Sequence, residues 1–164
     1  MQLTIETSRT VRKALRAAFG WGPASRGRGG EPGLPPEGAV VGGTMLGRTI
    51  EALEREFTAR ELARPCHREA VYHVSLAASD GEVLGDADWA TIGQLYAERL
   101  GFGSAAYVLV RRAGAEAARG AEGDCLHLIA ARVDAWDQPL SVPGPDKAER
   151  ILRALELASA TVPP

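Results

Sequence analysis

Residues 104–133, SAAYVLVRRAGAEAARGAEGDCLHLIAARV, decide the fold. Ser104 to Val110 is a β-branched and aromatic run, which predicts a strand ending in Arg111 and Arg112. Residues 113–123 are small, polar and glycine-containing, and read as a loop. Asp124 to Val133 reads as a second strand, so the segment is a strand pair. Side chains alternate across a strand. Cys125, His127 and Ile129 therefore share one face, and Leu126, Leu128 and Ala130 the other.

Outward from this pair, Ala70 to Ala78 (AVYHVSLAA) is the clearest strand, with Tyr72, Val74 and Leu76 facing one way and Val71, His73 and Ser75 the other. Between these strands, Asp86 is positioned to cap a helix whose apolar stripe is Trp89, Ile92 and Tyr96, and Gly101 ends it. Thr49 opens an earlier helix reaching about Arg64, where Pro65 stops it. Near the start, Gln2 to Glu6 alternates as a short strand. Ser8 or Thr10 then caps a helix through about Phe19. On that helix Arg9, Arg12, Lys13 and Arg16 fall on one face, and Val11, Leu15 and Ala18 on another. Pro145 suits the first turn of a last helix carrying Ile151, Leu152 and Leu155. Residues 20–43 are dense in glycine and proline and read as a flexible excursion within a single domain spanning 1–164. The pattern predicts an α+β fold: an antiparallel or mixed sheet of four to five strands, flanked by helices.

Composition narrows the function. The chain has 164 residues, 19 basic and 21 acidic side chains, and a formal net charge of −2. That excludes a polybasic nucleic-acid protein, and any anion site must come from local clustering. Two cysteines, Cys66 and Cys125, make no disulfide framework. No signal segment and no membrane-length apolar run is visible, so a cytoplasmic location and no membrane partner are expected. There is no P-loop, no GxSxG elbow and no complete dinucleotide fingerprint. Cys125 and His127, two apart on a strand, could share a metal ion with a third ligand from a neighbouring strand. Taken without context, such a pair is more often a small buried cysteine and a hydrogen-bonded core histidine.

Four further stretches carry a resemblance. They are GGTMLGRTIEALEREF (42–57), YHVSLAASDGEVLGDADWATIGQLYAERLGFG (72–103), YVLVRR (107–112) and CLHLIAARVD (125–134). In this order the chain resembles the relaxases of mobilisable plasmids and conjugative elements, the mobilisation-nuclease family with a histidine triad. The resemblance implies a relaxase-like sheet, a divalent metal on three histidines, and a tyrosine of the first helix attacking a phosphate of single-stranded DNA. It places the triad on Arg112, Cys125 and His127, and the tyrosine near Ala17 and Ala18.

Carried over this way, the pattern is eroded. A guanidinium cannot ligate a cation. A cysteine suits zinc better than magnesium. His73 remains either as a further ligand or phosphate contact, or as a partly buried histidine hydrogen-bonded to a neighbour, while a metal role for Cys66 and His67 is not expected. Magnesium, manganese or zinc is the implied cofactor, and the erosion predicts that none is bound. The expected function is a relaxase-like, single-stranded-DNA-binding module of a mobile element, impaired in nicking, partnered by DNA and by another relaxase or mobilisation protein. The expected DNA contacts are Arg9, Arg12, Lys13, Arg16, Arg111, Arg112 and Arg132. Two alternatives stand beside it. One is an active nuclease using Cys125, His127 and His73 for the ion, with Tyr72, Tyr96, Tyr107 or water as nucleophile. The other is a protein-interaction module docking through residues 20–43 or Trp21.

Overall fold

A computed structural model describes residues 1–6, 10–20, 38–61, 71–79, 82, 84–112, 124–136 and 138–160. In chain order the elements are β1 (Gln2–Glu6), α1 (Val11–Ala18), β2 (Gly38–Gly43), α2 (Ile50–Glu61), β3 (Val71–Ala77), α3 (Asp86–Leu100), β4 (Ala105–Arg112), β5 (Cys125–Asp134) and α4 (Pro145–Ala160). The five strands form one sheet in the order β1-β3-β5-β4-β2, and every neighbouring pair is antiparallel. The expected α+β class holds, with five strands and no parallel pair.

β5 lies at the centre because it is apolar on both faces, as a strand covered on both sides must be. On one face Leu126, Leu128 and Ala130 join Tyr72, Val74, Leu76 and Leu109 under α3 and α4, through Trp89, Tyr96, Ala148 and Leu152. On the other, Ile129 and Ala131 join Val71, Val108 and Val110 under α1 and α2, through Val11, Leu15, Leu53 and Phe57.

α1 begins where expected, with the Thr10 hydroxyl accepting a hydrogen bond from the Lys13 amide at 3.3 Å. The cap of α3 differs from expectation. Gly85 is the capping residue, and its amide donates to Asp88 Oδ2 at 2.9 Å. Asp86 is the first helical residue instead, and its carboxylate is used elsewhere. Gly101 closes α3 in the left-handed conformation, φ 96°.

The main correction concerns residues 38–43, which were expected to belong to the flexible excursion. They form edge strand β2, paired with β4 through Gly38↔Arg112 and Gly43↔Val108, with a register shift between Val40 and Gly42. Glycine here serves close packing. A Cβ on Gly38 would sit 2.8 Å from the Phe19 Cα. Gly43 has φ +115°, and a Cβ there would lie 2.4 Å from the Tyr107 carbonyl oxygen. Thr44 continues the docking. Its hydroxyl donates to the Ala105 carbonyl and accepts from the Tyr107 amide, each at 3.0 Å. The Glu56 carboxylate of α2 then accepts from the Leu46 and Gly47 amides at 3.1 and 2.5 Å. With Met45 buried in the core, the Gly43-x-Met45-x-Gly47 block fastens β2 to α2. Residues 21–37 of the excursion, and Trp21 with them, lie outside the described residues.

One core group is poorly served. Tyr72 stacks on Phe102 with ring centroids 5.0 Å apart. Among the described residues its buried hydroxyl has no hydrogen-bond partner, and burial pushes its pKa up to about 12. An unmet buried hydroxyl costs stability, so Tyr72→Phe is expected to stabilise the fold by about 1 kcal/mol. A lower thermal midpoint for Tyr72→Phe, measured beside the parent chain, would contradict this account.

Candidate functional site

The face covered by α1 and α2 collects the histidines. His73 enters from β3, and Cys125 and His127 from β5, where Ser75 pairs with His127 and Ala77 with Cys125. Arg112 enters from β4 directly opposite Cys125, and Val110 lies opposite His127. Strand alternation explains the grouping, since Val71, His73 and Ser75 share a face with Cys125, His127 and Ile129.

The three side chains form a chain of contacts. His73 Nε2 lies 3.1 Å from His127 Nδ1, and His127 Nε2 lies 3.5 Å from Cys125 Sγ. His73 is fully buried and His127 is 4% exposed. Burial, then the neighbouring His73 and Arg112, lower the His127 pKa to about 3. The ring is therefore neutral at pH 7 and carries one proton. Two proton arrangements satisfy the chain. The Cys125 thiol donates to His127 Nε2 while Nδ1–H donates to His73, or His73 donates to Nδ1 while Nε2–H donates to Cys125.

This geometry does not fit the implied metal triad. An ion draws on one nitrogen of a histidine, yet His127 turns one nitrogen to His73 and the other to Cys125. The three side chains thus offer two separate pairs of ligands rather than one convergent set. Among the described residues, no group of three or more His, Cys, Asp or Glu side chains is placed to hold an ion. Arg112, at the position where the resemblance expects the first triad ligand, has its Nη1 3.5 Å from the Ala17 carbonyl oxygen at the end of α1. It reaches the place where the resemblance expects a tyrosine.

The tyrosines lie elsewhere. The chain has three, and Tyr72, Tyr96 and Tyr107 all belong to the core beneath α3 and α4. Each has its pKa raised by burial. Tyr96 donates to the Ala148 carbonyl oxygen at 3.2 Å. The expectation that one of them serves as nucleophile beside His127 is corrected on this ground: the sheet separates them from the histidines.

The basic residues divide the same way. Arg12, Lys13 and Arg16 are exposed on α1, and Arg12 pairs with Glu54 of α2 at 2.9 Å. Arg112 is on the histidine face. Arg132 shares the opposite face with Ala130 by alternation. Arg9, like Cys66 and His67, lies outside the described residues. Arg111 also faces away, and its charge is committed. Its Nε and Nη2 donate to the two Asp124 oxygens at 2.9 and 2.8 Å, and Nη1 donates to Asp86 at 2.6 Å. The bidentate Asp124 bond first, then Asp86, raise its pKa. Asp124 also accepts from the buried Trp89 indole at 2.9 Å. The sequence reading missed Asp124. Its one sequence signal was an acidic residue immediately before a strand.

Among the described residues no helix is long and apolar enough to cross a membrane. Neither a curated protein nor a solved structure matches the chain. The family model described as relaxase, MobA/VirD2-like, nuclease domain matches residues 35–139, which hold the sheet from β2 to β5, the helices α2 and α3, and the whole Arg112–Cys125–His127–His73 cluster. With well over half of its length matched, the chain belongs to the MobA/VirD2-like relaxase nuclease family.

Proposed function

We propose that this chain binds single-stranded DNA at the transfer origin of a mobile element and does not nick it. In this reading it acts in the cytoplasm beside a competent relaxase or another mobilisation protein. The observation that carries the proposal is the placement of the tyrosines: all three are buried on the far side of the sheet from His127. Ala17 and Ala18 stand where the resemblance expects the attacking tyrosine. Binding is supported by the exposed Lys13 and Arg16 on α1 and by Arg112 beneath it. Phosphate contacts of this kind need no particular base sequence.

Fluorescence anisotropy with a labelled single-stranded oligonucleotide tests the binding. Saturation at micromolar protein is expected in low salt. With about three phosphate contacts at roughly 0.7 each, a fourfold rise in salt weakens binding by roughly twentyfold. No binding at low salt would end the proposal. A nicking assay with magnesium, manganese and zinc is expected to leave the strand intact. Cleavage that disappears in His127→Ala would overturn the second half of it.

A further inference from the structure

Resting on that reading, we infer that the Arg112 guanidinium takes the place of the divalent ion, so that this site holds a DNA phosphate through a fixed organic cation and does so without metal. Three observations converge on it. Arg112 stands directly opposite Cys125 and diagonal to His127, on the histidine face of the sheet. The surrounding ligands do not converge on an ion, because His127 turns its two nitrogens to different partners. And Arg112 is a half-buried residue whose Nη1 lies 3.5 Å from the Ala17 carbonyl oxygen, beneath the end of α1 that bears Arg16.

The chemistry supports the exchange. A divalent ion in a nuclease lends positive charge to a phosphate oxygen. A guanidinium supplies charge and a planar pair of donors that matches phosphate geometry, and it cannot lose its proton. It supplies no Lewis acid and lowers no pKa of bound water, so it binds without activating. The same charge repels a metal cation from the pocket. The ligand class is a phosphodiester of single-stranded DNA.

The test is anisotropy with a labelled single-stranded oligonucleotide, in EDTA and then in magnesium, manganese or zinc, for the full chain and two variants. The parent chain is expected to bind equally in EDTA and in each metal. Arg112→Gln is expected to lose roughly tenfold in affinity and about 0.7 of the salt slope, one phosphate contact on a single strand. Arg112→Lys keeps the charge and is expected to keep the salt slope while losing part of the affinity, which separates charge from folding should the glutamine variant unfold. Binding by the parent that EDTA abolishes, or full affinity and slope in a folded Arg112→Gln, overturns this inference and leaves DNA binding standing. No binding by the parent at low salt overturns both.

Discussion

Asp124→Ala is expected to destabilise the fold by about 2–3 kcal/mol, the loss typical of removing the charged acceptor of several part-buried hydrogen bonds. The Asp124 carboxylate accepts three hydrogen bonds, two from Arg111 and one from Trp89. Its side chain is 18% exposed and that of Arg111 is 21% exposed. Trp89 is fully buried, so its indole N–H would lose its partner at a largely buried position. Asp86 would not restore the balance, because its side chain is 70% exposed and a surface pair contributes little. Asp124→Asn separates the contributions. It keeps one acceptor oxygen and the shape, and about half of the loss is expected. Urea unfolding followed by tryptophan fluorescence measures both variants. An Asp124→Ala midpoint within error of the parent would show that the cluster does not hold α3 to the strand pair.

Acid unfolding is the second large effect, and His127 is its expected source. The folded pKa is lowered from 6.5 to about 3, so the folded state resists a proton that the unfolded chain accepts below pH 6.5. The unfolded state therefore binds more protons across that window, and stability falls as pH drops from about 6.5 toward 3. At about 1.4 kcal/mol per unit, the loss is roughly 3 kcal/mol by pH 4. The groups around the ring do not relieve it: His73 and Arg112 both oppose a second positive charge. Unfolding midpoints between pH 7 and pH 4 should drop steeply for the parent and less for His127→Gln, which carries no titrating ring. Equal slopes for the two chains would assign the acid sensitivity to the carboxylates instead.

Strand parity made much of this legible. The alternation in 125–133 put Cys125 and His127 together, and the same rule in 71–77 put His73 on their face. The apolar runs of β3, β4 and β5 stood out because they are buried on both sides. β2 was hidden because GAVVGG has the composition of a turn. Its glycines answer to the backbones of α1 and β4, which no local pattern reports. Parity also separates Arg111 from Arg112, yet charge alone grouped them as DNA contacts. The Asp124–Arg111–Trp89 cluster joins a loop end, a strand and a helix, and such a meeting depends on tertiary packing rather than on spacing.

The strand order bears on how the molecule comes to exist during synthesis. β1 pairs with β3 and β2 pairs with β4, and all four precede β5 in the chain. Without residues beyond 124, the native pairings leave two separate two-stranded halves, each marginal by itself. β5 is the wedge that joins them, pairing with β3 on one side and β4 on the other. His73 waits on one half and Arg112 on the other, and the strand that unites them brings Cys125 and His127. The cluster thus has no assembled precursor: it comes together in the same step that closes the sheet.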